Sequence, residues 1–310
     1  MKKPTHKIYR TTNWPAYNRA LINRGNIAIW FDPKTQWYAE PQGKQGRSQT
    51  YSDIAIQCCL TIKSLFRLSL RMVTGFVQSL INLCGLNWAA PDYSTLCRRQ
   101  KHIDIQISYE KSCNGLHLLV DSTGLKFLGE GEWKRKKHQP EYRRQWRKLH
   151  IGIDAKTLQI RAVQLTTNNV SDSQVLGDLL DQIPLDEQID SVYTDGAYDT
   201  KKCHQVIADR QAHAVIPPRK NAKPWKNTKV HSLKRNELLR TVKRLGRILW
   251  KKWSGYHRRS LVETKMHCIK LLGDKLMARS FPTQVNEIHA RVAVLNKYTD
   301  LGRPHTQVVT

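Results

Sequence analysis

The sequence predicts an α/β domain preceded by an all-helical one, and three observations predict it. Apolar residues recur at helical spacing between residues 50 and 110 and as strand-like runs beyond Lys111. Two of those runs end in aspartate, and a late helical pattern carries one glutamate between cations. Lys plus Arg number 52 against 25 Asp plus Glu, a formal +27 that exceeds what solubility requires and implies a polyanionic partner, most commonly nucleic acid. A membrane surface is the other candidate. Yet no run approaches the roughly 18 apolar residues of a spanning helix, and MKKPTHKIYR lacks the apolar centre of a signal peptide. The expectation is a soluble, non-secreted, cytoplasmic protein. The seven cysteines contain no C-x-x-C pair, so they read as reduced core residues and not as a disulfide framework or a zinc ribbon.

Residues 1–49 are rich in Lys, Arg, Asn, Gln and Trp without sustained periodicity, and read as a basic arm that lies on phosphate or hangs free, in which Tyr17 to Trp30 could make one short element. Thr50 to Asp53 resembles a capping box, after which Ile54, Ala55, Cys58, Cys59, Ile62, Leu65 and Phe66 recur at helical spacing. A break near Arg67 separates this helix from a second, whose apolar face is Leu70, Val73, Val77, Leu80, Ile81 and Cys84 and which stops at Gly85. Asp92 or Ser94 then caps a third helix ending in Arg98 and Arg99. Three helices with a basic last member suit a helix-turn-helix-like DNA-binding domain over residues 50–110, although any small bundle with a charged surface has the same pattern.

Leu116 to Thr123 is a buried-strand run containing Asp121, followed by Lys148 to Asp154 and Gln159 to Thr166 about a turn at Asp154 to Thr157. A helix capped near Ser171 comes next, then a fourth strand from Gln188 to Thr194 that delivers Asp195, a helix to about Arg210, and a fifth strand from His213 to Pro217. The order β-β-β-α-β-α-β is an RNase H-like layout, in which the first and fourth strands lie side by side and their carboxylates meet. This domain is expected over residues 111–300, with a basic insertion at 219–252 and a tail at 301–310.

Trp133 to Lys148 holds eight Lys or Arg against one acid, among them Arg143, Arg144 and Lys148; Arg219 to Lys252 holds thirteen against one. Such runs are ordinarily solvated loops, but thirteen like charges repel one another without a counter-ion, so both are expected to contact DNA backbone. Trp133 and Trp146 suit core packing and base stacking equally.

Wound as one α-helix, Tyr256, Arg259, Glu263, His267 and Lys270 share an arc roughly 80° wide. A carboxylate between two cations and beside a phenol reads as an active-site wall; the alternative is a surface helix with an ordinary Arg259 to Glu263 pair. Asp121, Asp195 and Glu263 together would make an all-oxygen site suited to Mg²⁺ or Mn²⁺, with room for two ions. Asp154 reads as a turn residue, Asp172 and Asp199 as helix caps.

Asp121 in VDSTGLK, Asp195 in YTDGAYD, and Tyr256, Arg259, Glu263 and Lys270 in YHRRSLVETKMHCIK resemble the DDE transposases of bacterial insertion sequences, in the group with the Y-x2-R-x3-E-x6-K signature. There are 73 residues between the aspartates and 67 between Asp195 and Glu263. The helical stretch with PDYSTLCRR resembles the DNA-binding region of the same proteins, so the likeness spans most of residues 20–300. The resemblance implies that Asp121, Asp195 and Glu263 are catalytic metal ligands, and that Tyr256, Arg259 and Lys270 orient Glu263 and hold phosphate and terminal bases. It further implies a bacterial, nucleoid-associated enzyme that binds terminal inverted repeats of double-stranded DNA as a dimer or higher assembly, cleaves there and joins 3′ ends to target DNA. An inactive repressor with this fold and a stand-alone RNase H-like nuclease or resolvase remain the alternatives. The short insertion argues against a hairpin route that depends on a base-flipping tryptophan, for which Trp225 and Trp250 are the available residues.

Overall fold

A computed structural model describes residues 8–41, 43, 48–112, 114–129, 137, 145–226 and 229–309. The chain divides into two compact units, one of residues Met1–Ser108 with Ala293–Thr310 and one of Tyr109–Val292. Among the described residues no helix is long and apolar enough to cross a membrane.

In the first unit, β1 (Ile8–Thr11) precedes α1 (Trp14–Arg24), and α2 (Asp53–Phe66), α3 (Leu70–Leu83) and α4 (Tyr93–Arg99) follow. The helix limits come from local chemistry. Ser52 caps α2 by accepting from Ala55 N–H, Arg67 ends it in the left-handed region at φ 52°, and Ser69 caps α3. Val73, Val77 and Ile81 are buried at i, i+4 and i+8, facing Ala55, Ile56, Cys59, Leu60 and Ile62 within the helical core; each such side chain contributes about 1.5–3 kcal/mol. Cys59 is buried there, whereas Cys84 and Cys97 are exposed, so the expectation of core cysteines holds for only some of them. Two features depart from the sequence reading. The region read as an arm contains β1 as well as a helix overlapping the short element expected over Tyr17 to Trp30, and the stretch read as a tail contains β8 (Thr306–Val309), antiparallel to β1 with Ile8 opposite Val309. The unit is therefore not all helical. The pairing joins segments almost 300 residues apart, and no local pattern announces it.

The second unit is built on β2 (Leu116–Phe127), β3 (Arg147–Asp154), β4 (Ile160–Thr167), α5 (Asp172–Asp181), β5 (Ile189–Tyr193), α6 (Lys201–Asp209) and β6 (His213–Val215). The strands lie in the order β4-β3-β2-β5-β6; β3 is antiparallel to both β2 and β4, whereas β5 and β6 run parallel to β2. This is the RNase H-like arrangement. Leu116, Leu118 and Val120 of β2 are buried with Val175, Leu176 and Leu179 of α5 and Cys203 and Ile207 of α6, so these helices cover one sheet face. Beyond the sheet come α7 (Val230–Leu245), α8 (Arg247–Trp253), a 3-10 turn (Tyr256–Arg259) and α9 (Ser260–Leu272), then β7 (Lys275–Leu276) paired with β2, and α10 (Phe281–Leu301).

Candidate active site

One strand interior and one strand end bring the aspartates together: β2 continues to Phe127, so Asp121 lies mid-strand opposite Ile151 and not at a strand end as the sequence suggests, whereas Asp195 follows the end of β5. Leu119 of β2 pairs in parallel with Tyr193 of β5, so Asp121 and Asp195, each two residues farther on, leave adjacent strands spaced about 4.8 Å apart. Asp195 ends its strand by accepting from Ala197 N–H at 2.9 Å, which opens a 3-10 turn over Gly196–Tyr198. Asp121 accepts from the N–H of Ser122 at 2.8 Å.

The third carboxylate comes from the opposite sheet face, where α9 packs on β2 and β3. Val262, Met266 and Ile269 are its buried stripe, and Glu263 falls in its first turn, where the N-terminal dipole favours an anion. The single α-helix expected from Tyr256 to Lys270 is instead a 3-10 turn followed by a helix from Ser260. Gly255 enters the turn with φ 66°, and Arg258 N–H bonds back to Gly255 at 3.1 Å, an i→i+3 closure. The side chains converge all the same. Arg259 Nη1 donates to Asp121 Oδ2, and its Nη2 donates to Glu263 Oε1 at 2.6 Å, so one guanidinium spans the two carboxylates. Lys270 Nζ donates to Thr123 Oγ1 at 2.8 Å. Thr123 was not singled out in the sequence, but period-two alternation places it on the same strand face as Asp121. Tyr256 is buried against Trp250, with ring centroids 5.6 Å apart.

The electrostatics register the crowding of like charge. Burial raises the Asp121 carboxyl above its ordinary range; Arg259 and the Ser122 N–H oppose this, while Asp195 and Glu263 add to it. Burial also raises the Tyr256 phenol, which feels Arg259, Asp195 and Asp121. All three acids therefore act on one small volume. Among the described residues no trio of His, Cys, Asp or Glu is closed tightly enough to grip an ion as it stands. Arg259 already lies between two of the candidate ligands.

The remaining sequence candidates sort differently. Asp154 makes the expected turn, accepting from Lys156 N–H and Thr157 N–H. Asp199 is not the cap of α6: Thr200 is, and Asp199 is buried in an ion pair with Arg235 at 2.8 Å beside His204. Burial alone would raise this carboxyl, but hydrogen bonds from His204 and Arg235 hold it far below its usual range. Asp172 does not cap α5 either; Ser171 occupies that position, and Asp172 accepts from Ser122 Oγ and Lys148 Nζ. Lys148 is thus turned toward a carboxylate and the Val170 carbonyl. Arg99 bonds to Asp53 and the Tyr51 carbonyl within the first unit, whereas Arg98 is exposed. Arg143, Arg144 and Trp133 lie outside the described residues. Trp146 is 41% exposed beside Gly124, where a side chain would meet the indole. In the insertion, Trp250 is buried and Trp225 lies under the Arg235 guanidinium at 4.5 Å, so both are packed; Lys234, Arg240, Lys243 and Arg244 are exposed.

An RNase H-like sheet carrying one carboxylate on its central strand, a second just beyond the neighbouring strand and a third on a packed helix defines a class of phosphoryl-transfer proteins. Two family models described as transposase DDE domain match the chain, over residues 22–130 and 113–297. The second match covers more than half of the sequence, and the chain belongs to the DDE transposases, a family of metal-dependent enzymes that cleave and transfer DNA strands. A solved simian T-cell lymphotropic virus intasome in complex with PP2A regulatory subunit B56 gamma matches 74% of this chain and 74% of its own at 13% identity. Its TM-score of 0.23 is too low to carry an argument.

Proposed function

We propose that the protein is the transposase of an insertion sequence, binding the terminal inverted repeats of its element and using Asp121, Asp195 and Glu263 to cleave DNA and join 3′ ends to a target. The observation that carries this reading is the Arg259 bridge, which draws carboxylates 142 positions apart in the chain onto one guanidinium beside the tip that bears Asp195. The donor set fits a divalent cation: it is all oxygen, suited to Mg²⁺ or Mn²⁺, and the mutual repulsion felt at Asp121 is what a cation relieves. Ions held there, two in number, supply the charge that activates an attacking oxygen and stabilises a leaving one.

The chain's own residues do the rest. Arg259 is a surrogate cation that must give way for an ion to be seated, and its guanidinium is then available to a DNA phosphate. Lys270, tethered to Thr123, holds positive charge two residues along β2 from Asp121. The Tyr256 phenol stays protonated near both aspartates and donates, to phosphate or to a terminal base, without adding charge. The exposed cations of α7 lie along DNA backbone, α2 to α4 read the terminal sequence with Arg98 at the contact, and Arg143 and Arg144 belong to a second basic stretch beside the same DNA, from which Lys148 is withdrawn by its bond to Asp172. Two or more copies assemble on paired ends.

The test is strand cleavage on duplexes carrying the inverted repeats that flank the coding sequence, with Mg²⁺. Glu263→Gln is expected to bind these ends and fail to cut them. Unchanged cutting by Glu263→Gln would point to another nuclease centre, and no cutting by the wild type to a repressor.

A further inference from the structure

Strand alternation sends Asp121 and Thr123 toward α9 and Ser122 toward α5 on the other sheet face. Ser122 is bonded in both directions. Its N–H donates to Asp121 Oδ1 at 2.8 Å, and its hydroxyl donates to Asp172 Oδ1 at 2.9 Å. Asp172 also accepts from Lys148 Nζ at 3.2 Å, and that ammonium donates to the Val170 carbonyl at 3.0 Å. His150, with no side-chain exposure, places Nδ1 3.8 Å from the same carboxylate and pairs its Nε2 with Thr166 Oγ1 at 3.0 Å. Tyr198 is buried nearby, its hydroxyl without a hydrogen-bond partner among the described residues and within the fields of Asp172, Asp121 and Asp195.

A carboxylate paired with a lysine at a helix start is ordinarily a local staple. Here the staple reaches, through a single serine, the residue next to Asp121. Lys148 neutralises Asp172, so the extra acid adds little repulsion to the crowded front of the site. The bond from Ser122 to Asp172 fixes the serine rotamer and the peptide plane whose N–H holds Asp121 Oδ1, leaving Oδ2 directed toward Arg259. We infer that Asp172 is a positioning residue for Asp121, acting through Ser122 from the back of the sheet, with Lys148 as its counter-charge. The inference rests on the proposed role of Asp121 as an ion ligand; partners behind metal ligands typically change ion affinity by about 10-fold to 100-fold when removed.

The test uses the full chain without DNA and reads Mn²⁺ affinity by titration calorimetry, with thermal unfolding alongside. Ser122→Ala and Asp172→Asn are each expected to weaken Mn²⁺ binding about 10-fold. The double variant should be no weaker than the worse single one, because both break one chain of contacts. Ser122→Thr, which keeps the hydroxyl, should restore wild-type affinity. Should Asp172→Asn fail to fold, Ser122→Ala and its threonine rescue decide the matter alone. Wild-type Mn²⁺ affinity in Ser122→Ala, or losses that simply add in the double variant, would overturn the inference. Asp195→Asn separates the two levels: if it abolishes Mn²⁺ binding while Ser122→Ala has no effect, only the positioning role falls, and if it leaves Mn²⁺ binding intact, the ion site and the positioning role fall together.

Discussion

The two halves of the carboxylate cluster are held to different degrees. On the strand side, the Asp121 side chain is 14% exposed and bonded to the next peptide, and Asp195 accepts from its own turn. On the helix side, the Glu263 side chain is 54% exposed and leans on Arg259. Strand pairing opposite Ile151 fixes the backbone of Asp121, and the bond from Ala197 N–H holds Asp195 at the start of its turn, whereas a glutamate on a helix turn can swing about its own side-chain torsions. The difference teaches where adjustment is cheap: under the proposed function the aspartates would be a prepared platform, and Glu263 with Arg259 the movable side through which an ion would be admitted.

The sharpest way to break this comparison is to neutralise each half in turn. Asp195→Asn and Glu263→Gln should both lower DNA cleavage by at least about 1000-fold, since residues acting as a unit fail together. In calorimetry without DNA, however, Asp195→Asn should lose more Mn²⁺ affinity than Glu263→Gln. Equal losses would mean that the two sides are equally prepared.

Next in size is a control lying four residues from Asp195. Arg235→Ala leaves the Asp199 carboxylate buried without its cation and should cost about 3 kcal/mol in chemical denaturation. Because Asp199 is held below its ordinary range, the stability its pairing provides is present above about pH 4 and is lost as pH falls. The wild type should therefore lose more stability than Arg235→Ala between about pH 4 and pH 2. Mn²⁺ affinity should be unchanged, which separates a structural acid from the cluster.

A smaller effect is expected on the movable side. Arg259→Ala should destabilise the ion-free protein by about 2 kcal/mol, the order of a charge-assisted bond that is partly exposed. Added Mn²⁺ should then raise the melting temperature of the variant more than that of the wild type, because no guanidinium competes for Asp121 and Glu263. The reverse ranking would show that Arg259 is not a surrogate cation.

The smallest effect concerns the platform. Asp121 has a raised carboxyl, so its contribution to stability is full below the ordinary aspartate value near about pH 3.9 and is lost as pH rises through the raised one. Asp121→Asn should accordingly melt slightly higher than the wild type at pH 7 without metal, a gain that disappears by about pH 3.5. A melting temperature below that of the wild type at pH 7 would mean that the Arg259 bridge outweighs the desolvation of Asp121.

Much of the fold was legible because its determinants are local. Short buried-strand runs bounded by turn residues marked β2 to β5, Ser52 and Ser69 sit where capping residues are expected, and Gly85 adopts the left-handed conformation that stops α3. The named acids were legible as types, since an aspartate in each of two strand-like stretches and a glutamate flanked by cations are visible in the sequence itself, although β2 continues past Asp121 to Phe127 where the sequence suggested a strand end. What misled was also local in appearance. Asp172 and Asp199 sit at helix starts and look like caps, yet Ser171 and Thr200 take that place and the carboxylates turn inward.

Taken alone, the sequence determined the order of elements, the basic excess and the set of acids that a strand-ending or helix-facing pattern exposes, because each follows from neighbours within a few residues. Tertiary structure alone decided that Arg259 spans Asp121 and Glu263, that Lys270 finds Thr123, that Asp172 and Lys148 meet behind Ser122, and that the last strand pairs with the first. Apart from the i,i+4 pair of Arg259 with Glu263, which the sequence already offered, those contacts join residues from 24 to about 300 positions apart, and the choice among many possible charged partners is made only when strand register and helix packing bring particular side chains within hydrogen-bond reach.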